Sequence, residues 1–246
     1  MREWIYHGWY WIVTVVSVSL HFLIGLLCYI TPHPQINHRK LARFFIKRIA
    51  AAIQLRVVVH GLSHIPPNTP IIFMANHTSL IDILVMIIGL PCHFNFIAKK
   101  ELRWVPLIGL DMIMEGDFLI DRRNPKAAKL CLKKVESRLK KGGNILIFPE
   151  GTRSKNGTLL PFKLGGFRLA TASGATIVPC YIYGANHIVQ KQSLKASPGT
   201  VHIHIGQPID PTKIDASDDL PIRLMVQTQQ HIADLKMTVD KDTSCG

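Results

Sequence analysis

The sequence predicts an α/β protein, a mostly parallel sheet covered by helices, preceded by a hydrophobic two-helix membrane anchor. Three observations predict it. Residues 9–30 run without a formal charge. From Arg56 onward, short β-rich runs alternate with helical stretches, the rhythm of a largely parallel sheet with helices on its faces. The 246 residues suffice for one substantial domain plus an appendage and are few for two full domains. The expected division is a membrane-anchoring segment, 1–55, and an α/β domain, 56–246.

The anchor comes first in the chain. As a helix rising ~1.5 Å per residue, WYWIVTVVSVSLHFLIGLLCYI would reach ~33 Å, about the hydrocarbon thickness of a bilayer. Trp4, Tyr6, Trp9, Tyr10 and Trp11 cluster at its start, where an interfacial aromatic belt would lie. No small-x-small cleavage site follows, and Leu27 before Cys28 argues against a lipoprotein signal. After a break at Pro32 and Pro34, residues 39–55 carry Leu41, Phe44, Phe45 and Ile49 at helical spacing. Arg39, Lys40, Arg43, Lys47 and Arg48 are interleaved with them. A basic amphipathic helix beside an apolar one suits a membrane surface with anionic headgroups; an ordinary helix with a solvated basic face is the plainer alternative. Whether the first helix spans the bilayer or inserts in one leaflet stays open. Its basic flank places the domain on the cytoplasmic face of the membrane, an inner membrane on this reading.

Composition agrees. With 29 Lys+Arg against 16 Asp+Glu the net charge is +13, which favours an anionic partner. Yet 48% of residues are hydrophobic and the mean hydropathy is +0.20, so a lipid surface fits better than nucleic acid. No nucleic-acid module is present in the sequence. The five cysteines are scattered without metal-ligand spacing, as expected of reduced thiols facing the cytosol.

In the domain, the β-rich runs are RVVVH, PIIFMA, FNFIA, FLI, NILIF, TIVPCYIY and TVHIHIG. Helices are expected near 79–90, 103–111, 125–141, 165–173 and 218–238. The third is the best signed, with Asn124 as N-cap, Pro125 at the first helical position and Gly142–Gly143 as the stop.

Ligands of open α/β sheets bind beyond the carboxyl ends of the strands. Unusual polar clusters fall at those ends: Asn76 and His77, Lys99 and Lys100, Asp121 to Arg123, and Glu150 to Arg153. In NHTSLID, five polar residues interrupt two very apolar runs, which costs energy unless each finds a partner. One reading is a capping box, with Ser79 as N-cap and Asp82 three residues on. It leaves Asn76 and His77 unexplained. In the other, His77 folds back from the strand-to-helix turn so that Asp82 accepts from one ring nitrogen, leaving the second as a base. Ser79 lacks a G-x-S-x-G elbow, so a hydroxyl on the substrate is the more economical nucleophile.

NHTSLID fits the NHxxxxD motif, and FPEGTRS (148–154) fits the second signature of the glycerophospholipid acyltransferases. Between them AKKELRWVPLIG and GDFLIDR resemble two further blocks of that family, and IVPC (177–180) resembles its fourth. Together they cover 76–180 in the family's order. Cys180 stands where a valine is more usual, which looks like a packing change. The resemblance implies transfer of a fatty acyl group to the sn-2 hydroxyl of lysophosphatidate (1-acylglycerol-3-phosphate), giving phosphatidic acid without an acyl-enzyme. It implies His77 as general base and Asp82 as its orienter. Glu150, Gly151, Thr152 and Arg153 would form the acceptor loop, with Arg122 and Lys100 as phosphate contacts and Asn76 and Ser79 in support. The implied co-substrate is a thioester of acyl carrier protein or coenzyme A, with no resident cofactor or metal. Cations and amide donors suit a dianionic phosphate, and a glycine lets backbone N–H groups approach closely. Arg122 and Lys100 as surface charges, and Arg153 paired to Glu150, are the plainer alternatives; Lys163 is equally a phosphate contact or a surface lysine. The rivals in function are another lysophospholipid acceptor and a non-catalytic lipid-binding protein. His202 and His204 share a strand face but, with no third ligand in view, read as a half-exposed surface.

Overall fold

All seven β-rich runs form strands in the computed structural model, which describes residues 2–28, 30, 34–105, 108–189, 196–215 and 217–244. Pro32, Pro106 and Cys245, and the side chains of Trp4, Tyr6 and Cys28, lie outside that description. The strands are β1 (Leu55–His60), β2 (Ile71–Ala75), β3 (Asn95–Lys99), β4 (Phe118–Ile120), β5 (Ile145–Ile147), β6 (Thr176–Tyr183) and β7 (Gly199–Ile205). Their spatial order is β1-β7-β6-β2-β5-β3-β4. From β6 to β4 every pairing is parallel; β7 runs antiparallel to β6, and the edge strand β1 is parallel to β7. The carboxyl ends of β2, β5, β3 and β4, which carry the polar clusters, therefore line one edge.

Parallel strands covered on both faces read as continuous apolar runs, and β2 is buried along its whole length. Alternation sends Phe73 and Ala75 into one core layer with Ile81, Val85 and Met86, and Ile72 and Met74 into the other with Leu139, Phe167 and Leu224. The helices are α1 (Arg2–Cys28), α2 (Pro34–Ala52), α3 (Asp82–Gly89), α4 (Ile108–Glu115), α5 (Pro125–Lys140), α6 (Gly165–Ser173), α7 (Ala185–Ile188) and α8 (Leu220–Ser244). At α5 the expected caps form. Asn124 accepts from the Ala127 amide, while the Gly142 and Gly143 amides donate to Leu139 and Arg138 in a Schellman closure, Gly142 at φ 80°. The helix expected at 103–111 is displaced: a 3-10 turn covers Lys100–Trp104 and α4 starts at Ile108.

Of the two helices expected in the anchor, one is apolar enough to span a membrane. Among the described residues only the stretch Gly8–Leu27 is long and apolar enough to cross a membrane. α2 carries too many cations for that and packs between α1 and the domain. The two faces of α1 are inverted relative to a soluble helix. Trp9, Ile12, Val15, Leu23 and Leu27 are exposed, whereas Ser17, His21 and Gly25 turn inward. His21 Nε2 meets Asp111 Oδ1 of α4 at 2.5 Å, and His38 of α2 bonds Glu115 at 2.5 Å, with Arg39 adding a 3.1 Å bond to the same carboxylate. Gly25 is required here, since a Cβ would lie 2.9 Å from the His38 ring.

Candidate active site

The strand-to-helix turn after β2 is built by its own polar side chains. Asn76 extends the β2–β6 ladder by one rung: its amide donates to the Ile182 carbonyl (3.0 Å) and its oxygen accepts from the Ile182 amide (2.6 Å). That fixes where His77 leaves the sheet. Asp82, wholly buried at the start of α3, accepts through one oxygen from His77 Nδ1 (2.8 Å) and from the Thr78 and Ser79 amides (2.8 and 2.9 Å). The carboxylate at once holds the turn and sets the histidine's tautomer, directing Nε2 away from it. The His77 ring also stacks on Phe148, centroids 4.1 Å apart. Sequence reasoning passed over this contact of Phe148, whose one local signal is its place at the end of the β5 run, directly before the acidic loop.

The capping-box alternative is half right. Asp82 reaches back to the Ser79 amide as such a box requires, but the Ser79 hydroxyl donates to the Val189 carbonyl at 2.7 Å and caps nothing. Engaged in that bond and fully buried, Ser79 is placed as a brace to the segment after β6 and not as a nucleophile.

Glu150 departs from its expected place in the acceptor loop. It is 2% exposed, and its two oxygens accept from the His77 amide (2.9 Å) and the Leu160 amide (3.1 Å). Burial raises its pKa against the lowering effect of those amides. It ties the loop to the His77 turn, and the Ser154 amide, donating to the His77 carbonyl at 2.8 Å, closes the same junction. Gly151 sits at φ 70°, with the Lys163 side chain 3.0 Å from where its Cβ would be. The Arg122 guanidinium donates to the Gly151 carbonyl, bringing a cation from the end of β4 onto this loop. Thr152 is exposed and Arg153 half-buried beside it. Lys100 reaches Asp121 at 3.0 Å, and that hydrogen bond, with the Arg123 amide, holds the Asp121 carboxyl below its ordinary range. Lys163, left undecided by sequence, thus joins Arg122 on the loop, while Lys100 is engaged at its margin. A groove of about 340 Å³ lined by Arg43, His93, Phe96 and Asp117 lies elsewhere, between α2 and the domain.

His202 and His204 gain the third histidine that sequence reasoning did not find. The β1–β7 register sets His60 opposite His204, and the three rings stack on the outer sheet face.

What this sheet edge offers chemically is a carboxylate-oriented imidazole, able to take a proton, beside a loop that carries cations, an arrangement suited to a group-transfer enzyme. Comparison with known proteins makes the class specific: the chain belongs to the acyltransferase family, whose model matches residues 56–183. It is 34% identical over 211 residues to the chloroplastic 1-acyl-sn-glycerol-3-phosphate acyltransferase LPAT1 of Arabidopsis thaliana, covering 82% of this chain and 58% of that protein. With the alpha 1-acyl-sn-glycerol-3-phosphate acyltransferase of Ovis aries it shares 31% identity, covering 88% of this chain and 72% of the relative. Among solved structures, the 1-acyl-sn-glycerophosphate acyltransferase PlsC of Thermotoga maritima superposes with a TM-score of 0.80 at 26% identity, over 96% of each chain.

Proposed function

We propose that this protein transfers a fatty acyl group from an acyl thioester to the sn-2 hydroxyl of 1-acylglycerol-3-phosphate, giving phosphatidic acid. The observation that carries the reading is the His77–Asp82 pair. With Nδ1–H bonded to a buried carboxylate, Nε2 is the nitrogen left to accept a proton. As the substrate oxygen attacks the thioester carbonyl, its proton passes to Nε2 and the imidazolium is stabilised by Asp82. Collapse of the tetrahedral intermediate breaks the C–S bond, and the departing thiolate takes the proton from Nε2, restoring the base. The acceptor phosphate is assigned to the loop at Gly151, with Arg122, Lys163 and Arg153 as its cations. The thioester belongs to coenzyme A or acyl carrier protein, both anionic and suited to a chain of net charge +13.

The exposed apolar face of α1 is the membrane contact on this reading, with the domain on the cytoplasmic side. Trp104, Ile108 and Ile113, exposed on the turn before α4 and on α4 itself, extend the apolar surface that lipid would cover.

The test is thiol release by purified protein in liposomes, given an acyl thioester and a panel of lysophospholipids, beside His77→Ala. Release that requires lysophosphatidate, yields phosphatidic acid and vanishes in the variant is expected. Preference for another headgroup would reassign the acceptor. Equal release without any acceptor would overturn the direct-transfer mechanism, and binding without turnover would favour a lipid-binding role.

A further inference from the structure

We propose that His60, His202 and His204 form a binding site for one divalent transition-metal ion of the zinc class. His202 and His204 are two residues apart on β7, so both side chains leave the same sheet face, opposite to Val201, Ile203 and Ile205 in the core. β1 pairs with β7 in parallel and sets His60 beside His204. One nitrogen from each ring lies within 4.8 Å of the others, and His60 Nε2 is 3.1 Å from His202 Nδ1. Tetrahedral zinc with Zn–N bonds of ~2.0–2.1 Å holds its nitrogens about 3.4 Å apart, so the set closes on an ion through side-chain rotation, the strands staying fixed. His60 is exposed and the other two are half-buried, which leaves the rings an entry path from solvent.

The chemistry of the donors selects the ion. Three neutral imidazoles suit zinc, nickel, copper or iron(II), whereas magnesium and calcium require oxygen ligands absent from this triad. Three protein ligands leave a fourth position for water or an outside group. The site is separate from the catalytic histidine: it lies on β7 and β1, beyond β6 as seen from β2, on the sheet face opposite the one covered by α3. There an ion would cross-link the edge strand β1 to β7, joining chain segments 142 residues apart.

The experiment uses tag-free full-length protein in detergent, titrated with Co²⁺ followed by its visible d–d absorption and displaced by Zn²⁺. His60→Gln and His202→Ala are compared with the wild type, thiol release serving as the check on folding because neither residue belongs to the acyl-transfer site. One equivalent of tetrahedral Co²⁺ is expected, with affinity falling at least tenfold in each variant while thiol release is unchanged. Zn²⁺ should also shield these three histidines of the wild type from diethylpyrocarbonate, which requires no variant. Metal binding of equal affinity in both variants, which would point to His21, His38 and Asp111 instead, overturns the proposal. So do failure to bind and lack of protection at the three rings.

Discussion

Replacing Asp82 by asparagine separates its two tasks. The side chain keeps its volume and an oxygen able to accept from the Thr78 and Ser79 amides, so the turn persists. The new amide nitrogen occupies the place of Oδ1, which has no hydrogen-bond partner among the described residues, at a cost of about 1–3 kcal/mol. What disappears is the negative charge 2.8 Å from Nδ1, which in the proposed mechanism stabilises His77 once it holds the substrate proton. General-base catalysis contributes ~10²–10⁴-fold, or about 2.7–5.4 kcal/mol of barrier. Asp82→Asn should therefore lower kcat by about that factor and leave KM for lysophosphatidate within about threefold, the mark of an interaction made in the transition state. Asp82→Ala adds a structural loss, since the Thr78 and Ser79 amides are both buried and lose their acceptor. At about 1–3 kcal/mol each, that is about 2–6 kcal/mol from a domain whose total stability is about 5–15. Thiol release measured with a colorimetric disulfide, alongside thermal melting, distinguishes the two variants. An Asp82→Asn enzyme that retained kcat within about threefold would refute the assignment of His77 as a carboxylate-assisted base.

Three further outcomes are expected. Ser79→Ala should lose about 1 kcal/mol with its bond to Val189 yet keep most of its kcat, whereas an acyl-serine enzyme would be inactive; thiol release under saturating acceptor decides. Burial pushes the Asp117 carboxyl from 3.8 up to about 8, so the folded state binds the proton more tightly than the unfolded one. Stability should fall by about 1.4 kcal/mol per pH unit between those values through this group, and Asp117→Asn should remove that slope in melts run from pH 5 to 8. Burial opposes the charge on His38, but the Glu115 hydrogen bond and the charges of Glu115 and Asp111 outweigh it and the Arg39 repulsion, raising its pKa above 6.5. The tie from α2 to α4 should be at full strength below pH 6.5 and fade as pH rises through the higher folded value. His38→Gln should flatten that dependence, read as protease resistance of the junction between helices and domain.

Most of the sheet was legible because each strand is a local pattern. PIIFMA and TIVPCYIY announce burial by composition alone, and Asn124, Pro125 and Gly142 mark helix ends by their own stereochemistry. His77 and Asp82, five residues apart, are near enough in sequence for their contact to be foreseen. The illegible parts depend on where distant segments land. Nothing in NHTSLID indicates that the Ser79 hydroxyl spends its proton on Val189, 110 residues away. Glu150 resembled a ligand-facing acid because sequence cannot show that the His77 and Leu160 amides turn it inward. His60 is the last residue of RVVVH, and only the pairing of β1 with β7 brings it beside His204. The amphipathic spacing of α2 was legible too, but not that it packs between α1 and the domain, because those contacts join distant segments.

The inverted helix α1 also imposes an order of events during synthesis. His21 leaves the ribosome 90 residues before Asp111, its partner on α4. At ~5–20 residues per second the delay is about 5–18 s, long compared with the microseconds in which a helix forms. For that interval the apolar face is finished while the domain that will hold its polar face is still unmade. With α1 as the membrane contact proposed above, lipid is then a surface open to the helix before its own domain is, and the domain afterwards folds onto a helix already seated there.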